Sequence, residues 1–287
     1  EGLRLEALYI LREQDIRADD REPGWASVMV PDAVFGFQFN IDFHPTRRKF
    51  LTDDRNGPWQ FVHTANRGWH TDTDRAMFPL RGLVPIERNG LLGAGKNIGV
   101  SSVVQSALRL HGQMVLVGQA AATVAAVGLR DDLQPRDIAA SPTKWREVQR
   151  TLVRGCGGPG VLLWPWHDVP LDAPWFEAAN LLAVAGVWPG DPESVLFEPD
   201  RTVTRRELAR VLARLIRKTE LAQPWPDWGA PRYSDVPADD SDRPAIEAMI
   251  DWGDFGPQPA TFQPDGPCDH ATLKRWLTAL GLPSDGG

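Results

Sequence analysis

Between Val34 and His44 the chain reads VFGFQFNIDFH. Phe35, Phe37, Phe39, Ile41 and Phe43 fall on one parity, and Gly36, Gln38, Asn40, Asp42 and His44 on the other. A period of two puts an apolar and a polar face on one strand. Two readings of the polar face are open. It is either the solvated face of a sheet-edge strand, or it lines a cavity with His44 at its end as a proton-transfer or carboxylate-binding group. The segment Leu3 to Leu11 reads as another strand. Apolar runs and alternating segments dominate up to Gly155, where GCGGPG breaks the pattern. The boundary between two domains is expected between about 155 and 165.

Beyond it the pattern repeats itself, which is a strong sequence signal. Asp168-Val169-Pro170 recurs as Asp235-Val236-Pro237, each followed at the same distance by a glycine, Gly186 or Gly253. Phe197-Glu198-Pro199-Asp200 recurs as Phe262-Gln263-Pro264-Asp265. Five residues after each of those prolines stands a helix-capping residue, Thr204 or Asp269. Leu208, Leu212 and Leu215 match Leu273, Leu277 and Leu280. Each copy therefore predicts helix, loop, helix. The first helix places Phe176, Ala179, Leu182 and Ala183 on one stripe and ends at glycine. The second helix of copy one opens with the capping box Thr204-Arg205-Arg206-Glu207, while copy two keeps the cap Asp269 and lacks the reciprocal glutamate. A single helical hairpin buries little surface, so the two copies are expected to pack on each other as a small all-α domain.

Composition narrows the function. A net charge of −7 gives no electrostatic footprint for nucleic acid. The longest apolar run, Met114 to Val127, is interrupted by Gly118 and Gln119 and is too short for a membrane span. Cys156 and Cys268 form neither a metal spacing nor a disulfide framework. His63 and His70 lie in FVHTANRGWHTDTD, and Asp72 and Asp74 beside them give no metal spacing, so no metal is expected. The stretch LLGAGKNIG (Leu91 to Gly99) looks like a nucleotide loop but fails both common fingerprints: the sixth position of GxGxxG is Ile98, and Lys96 is followed by Asn97 rather than Ser or Thr. The chain begins at Glu1 rather than Met, which reads as a processed product or a fragment.

The repeated pattern, Asp-Val-Pro, a helix ending in Gly, Phe-x-Pro-Asp and Thr-Arg-x-Glu, resembles S-layer homology modules. The resemblance assigns repeat one to residues 166–218 and repeat two to residues 233–282. It implies attachment to cell-wall glycan, with Arg205 as the motif arginine, and a place outside the cytoplasm or at the cell surface. A purely structural repeat pair is the other reading.

Residues Arg81 to Ala126, RGLVPIERNGLLGAGKNIGVSSVVQSALRLHGQMVLVGQAAATVAA, resemble the C-terminal portion of FAD-dependent oxidoreductases of the glutathione-reductase-like superfamily. For residues 1–155 this implies an α/β fold with a mixed sheet and FAD as cofactor. The strand would run from Leu91 to Ala94, with Gly93, Gly95, Lys96 and Asn97 bordering the ribityl and pyrophosphate region. A long helix carrying Gly118, Ala120, Ala121 and Ala125 would follow, and Gly112, Gln113 and Met114 at its start would approach the flavin. Free N–H groups and positive partial charge at that end would stabilise negative charge on the reduced ring. Arg109 corresponds to an arginine that binds a substrate carboxylate in some relatives, and His111 adjoins the same turn. Many relatives have an acidic residue where this chain has Lys96 and Asn97. A strand–GxGxxG–helix unit is expected from residues upstream of Glu1 or from another chain. The expectation is a flavin-mediated redox enzyme for a small molecule, with a non-catalytic surface-attachment protein as the alternative.

Overall fold

The computed structural model describes residues 4–16, 30–39, 41, 76–164, 166–185, 196–216, 229–252 and 260–279. The chain divides into two compact units, one made of residues 1–165 and 171–181, the other of residues 166–170 and 182–287.

In the first unit, β1 (Ala33–Phe37) pairs antiparallel with β2 (Ala76–Pro79), with Phe35 opposite Phe78 and a bulge between Ala33 and Phe35. Phe35 stacks on Phe78 at a centroid separation of 5.2 Å. The period-two segment is thus a strand of five residues, and it is covered on both faces. A Cβ added at Gly36 would stand 2.9 Å from the Leu163 carbonyl oxygen, and the Gly36 N–H donates to the Leu162 carbonyl. The glycine on the polar parity serves close backbone packing rather than solvation. Phe39 is exposed, while Asn40, Asp42, Phe43 and His44 lie outside the described residues.

Among the described residues the sheet is this two-stranded antiparallel ribbon, set within a mixed helical unit. The expected strand over Leu3 to Leu11 is an extended segment with isolated bridges, Ala7 to Pro85 and Leu11 to Val100. Its N–H groups at Leu5, Leu8 and Leu11 reach the carbonyls of Asn97, Val84 and Gly99 in turn. Alternating between two flanking loops in this way satisfies the backbone without building a regular ladder.

Among its described residues the unit also holds the helices α1 (Ser102–Leu108), α2 (His111–Asp131), α3 (Pro135–Ala140) and α4 (Pro142–Arg154). Ser101 caps α1 through the Val104 N–H, and proline opens both α3 and α4, where its missing N–H has no helical partner to lose. The structured α2 is longer than the apolar run inside it. At 21 residues, with an 18-residue stretch of mean hydropathy 1.5, it is long and apolar enough to cross a membrane. In this structure its face of Val117, Ala120, Ala121, Val124 and Val127 is buried in the core with Phe35, Phe78, Leu83, Val104 and Leu152. Gln149 on α4 ties that helix to the sheet, its amide donating to the carbonyls of Pro31 and Ala33 at 2.7 and 2.9 Å. Asp32, 1% exposed, takes a two-pronged contact from the Arg81 guanidinium at 2.9 and 3.0 Å. Arg81 also lies over the Tyr9 ring, whose phenol is pushed up to about 12, first by burial and then by Asp15.

The repeats contain α5 (Phe176–Val184), α6 (Arg205–Ile216), α7 (Arg243–Trp252) and α8 (His270–Ala279). Phe176, Ala179 and Ala183 are buried, but Leu182 is 38% exposed. Asn180 takes an inward place instead, its side-chain oxygen accepting the Leu163 N–H at 2.9 Å. In the second unit, Leu208, Ala209 and Leu212 of α6 share one core with Ile246 and Met249 of α7 and Trp276 of α8. The two copies therefore pack on each other. The Thr204 and Glu207 capping box forms, with the Thr204 N–H donating to the glutamate at 2.8 Å, and Asp269 caps α8 through the Thr272 N–H at 2.7 Å. The proposed terminating residues Gly186 and Gly253 lie outside the described residues.

Candidate functional site

The loop from Leu91 to Gly99 is irregular, without the strand expected at Leu91 to Ala94. Its anchors are specific. The Gly93 N–H donates to the Leu83 carbonyl at 2.8 Å, Leu5 donates to the Asn97 carbonyl at 2.9 Å, and Ile98 is fully buried. The loop's other bonds, from the Gly99 N–H to Gly82 and from the Leu11 N–H to Gly99, are spaced too far from these to make a regular ladder. The glycines differ in what surrounds them. A Cβ at Gly99 would strike the Tyr9 carbonyl and the Ala7 methyl, and one at Gly93 would meet the Leu5 side chain at 2.8 Å. At Gly95 the nearest atom is the Asn97 side-chain oxygen, 3.9 Å away. Gly99 and Gly93 are therefore occupied with packing, and Gly95 borders open space. Lys96 and Asn97 are exposed beside it.

From this loop the chain passes through α1 to α2. Arg109 closes α1, its N–H donating to the Gln105 carbonyl at 3.0 Å, and Leu110 precedes the first turn of α2. Arg109, His111, Gly112, Gln113 and Met114 thus meet at one junction. No side chain caps α2, and the first helical donor that finds a carbonyl is Met114, bonded to Leu110 at 3.0 Å. A helix of this length carries positive partial charge at its start, and its first N–H groups are turned outward as anion-binding donors. A Cβ at Gly112 would meet nothing within 4 Å, so the turn is open.

Beside it runs a groove of about 440 Å³, lined by Gly36, Phe37, Gln38, Leu116, Val161 and Leu171 among others. Leu116 is four residues after Gly112 and so shares its face of α2. The polar position Gln38 does reach a concave surface, at the end of a strand shorter than expected.

Sequence reasoning missed Gln105 on α1. It is 2% exposed, and neither its amide nitrogen nor its amide oxygen has a hydrogen-bond partner. The one available signal was a polar residue between buried Val104 and Leu108. The candidates His44, His63, His70, Asp72 and Asp74 lie outside the described residues. Among the described residues no group of three or more His, Cys, Asp or Glu side chains is placed to hold a metal ion.

The family model for FAD-dependent oxidoreductases matches residues 1–152, more than half of the chain. The chain belongs to the FAD-dependent oxidoreductase family. Its cofactor is FAD. No curated protein and no solved structure matches it. The matched span holds β1, β2, α1, α2, α3 and nearly all of α4, and with them the open helix start, the loop at Gly95 and the unpaired Gln105 amide. These features suit the family's cofactor: outward N–H donors for the electron-rich end of a ring, open backbone beside Gly95 and Gly112, and a buried polar group lacking a partner.

Proposed function

We propose that residues 1–155 form the flavin-facing portion of an FAD-dependent oxidoreductase that acts on a small molecule. The observation that carries this reading is the uncapped, open N-terminus of α2 inside the family-matched span. FAD supplies the electron-transfer chemistry when bound. The chain's own residues position and tune it. The N–H groups at His111, Gly112 and Gln113 would hold the pyrimidine end of the flavin and would stabilise negative charge there. Met114 packs at the same turn. Gly95, Lys96 and Asn97 would border the ribityl and pyrophosphate region, with the Lys96 ammonium offsetting phosphate charge, whereas Gly93, assigned there from the sequence, is closed off by Leu5 and Ile98. Arg109 holds a substrate carboxylate, and His111 and His44 are the candidates for moving its proton.

Substituting Gly112→Asp tests the central role. A carboxylate in the first turn stabilises the helix by about 0.3–1 kcal/mol, so the fold survives. The same charge opposes the reduced flavin, so the reduction potential of bound FAD should become more negative than in Gly112→Ala. Equal potentials in the two variants would remove α2 from the flavin site.

For residues 166–218 and 233–282 we propose S-layer homology-like repeats. The matched hydrogen bonds of Asp168 and Asp235 favour a shared module. On this reading the pair attaches the protein to cell-wall glycan outside the cytoplasm or at the cell surface. Arg205, however, stacks over Phe262 and Trp276 at 5.3 and 5.4 Å, which is a structural use of the motif arginine. Retention of the full chain on purified cell-wall glycan supports attachment. Passage without retention leaves the pair as a structural domain.

A further inference from the structure

Among the described residues, the other buried neutral polar side chains are provided for. The Ser106 hydroxyl donates to the Val103 carbonyl at 2.7 Å, and the Thr123 hydroxyl to the Gln119 carbonyl at 2.9 Å. Gln149 donates to two carbonyls, and Asn180 both accepts from Leu163 and donates to Phe176. Gln105 stands apart. Its amide carries two donors and an acceptor, is buried as deeply as these, and bonds to nothing. An unpaired buried amide lowers stability with no return within the protein itself.

Its place in the chain points to the missing partner. Gln105 lies one helical turn before the end of α1, and only Arg109 and Leu110 separate α1 from the open first turn of α2. Four residues of helix rise about 6 Å, so the backbone at Gln105 lies about that far from Arg109, which leads into the first turn of α2. The pyrimidine edge of a flavin presents two carbonyl oxygens on either side of an N–H. A carboxamide matches that edge, donating to one carbonyl and accepting from the N–H. We infer that Gln105 is a flavin-binding residue whose side-chain amide pairs with the pyrimidine edge of FAD. This rests on the proposed flavin site at the start of α2.

The two states of the protein make opposite demands on the residue, which gives the test. In the FAD-free full chain, Gln105→Leu removes an unpaired buried amide and should raise the melting temperature by roughly 2–4 °C. In the same variant the FAD dissociation constant, read by quenching of flavin fluorescence, should rise about fivefold to tenfold. FAD methylated at N3 lacks the matching N–H, so Gln105→Leu should change its affinity less than twofold. Gln105→Met, close in shape, guards against a packing artefact and should behave like the leucine variant. An unchanged FAD affinity, or equal losses for FAD and its N3-methyl form, overturns the inference. So does a lower melting temperature in both variants, which would show the amide satisfied by internal water. Wild-type protein that takes up no FAD sinks the flavin site itself, whereas wild-type binding with unchanged variants sinks only the role of Gln105.

Discussion

The Asp235 carboxylate accepts the backbone N–H of Phe262 at 2.8 Å. Its second oxygen accepts the next N–H, from Gln263, at 2.7 Å. In the other copy Asp168 does the same for Phe197 and Glu198, both at 2.7 Å. Gln263 and Glu198 both adopt the left-handed conformation, with φ of 59° and 54°. That conformation turns two successive N–H groups toward one carboxylate, and the aspartate offsets its strain. The Asp-Val-Pro and Phe-x-Pro-Asp pieces of each repeat are thus two halves of one clamp. Removing the clamp by Asp235→Ala leaves two loop donors without their acceptor and should cost about 1–3 kcal/mol. Chemical unfolding followed by tryptophan fluorescence measures this. A change below a few tenths of a kcal/mol would show the clamp to be incidental.

Acid should loosen the repeats through Asp242. Burial alone would raise its carboxyl, but hydrogen bonds from Arg210 at 2.8 and 2.7 Å, with Arg206 beside them, outweigh burial and hold it below the usual carboxylate range. A depressed folded-state value means that the contribution is full above the unfolded value of about 3.9. It is lost as pH falls through the folded value. Asp242→Asn should therefore lower the melting temperature at neutral pH and flatten its fall below about pH 4. An acid limb as steep as that of the wild type would place the proton uptake elsewhere.

Two glycines of one loop should respond differently to alanine. Gly99→Ala drives a methyl group into the Tyr9 carbonyl, and a backbone atom cannot rotate away. A loss of about 1–3 kcal/mol follows. Gly95→Ala meets open space and should leave the melting temperature almost unchanged while weakening FAD, whose approach it obstructs. Equal effects of the two on stability would contradict this division of labour.

How far the sequence could be read followed from what each pattern encodes. The repeat was legible because aspartate, phenylalanine, proline and the capping threonine each perform a local geometric task, so their spacing survives in both copies. The long helix after His111 was expected from the family resemblance that residues Arg81 to Ala126 carry. The strands were not. A period of two in Val34 to His44 cannot distinguish a solvated face from one closed by backbone, and Gly36 is closed by Leu162 and Leu163. Leu91 to Ala94 is apolar enough for a strand, but a strand also needs partners in register, and the loop's bonds are scattered, from Gly93 to Leu83, from Leu5 to Asn97, and from Gly99 to Gly82. Leu182 was misplaced because the stripe rule ignores polar residues, and Asn180 turned inward to cap backbone donors. Gln105 went unseen for a related reason: a polar residue in VVQSAL reads as the solvated position of an amphipathic helix.

FAD binding at the start of α2 is read most directly from the visible spectrum of the protein, expressed from its complete coding sequence and titrated with FAD, beside Gly112→Asp. Protein-bound flavin bands that bleach on reduction are expected, with a more negative reduction potential in the variant. Folded protein that shows no bound flavin after FAD is added, or a variant with the wild-type potential, would contradict binding there.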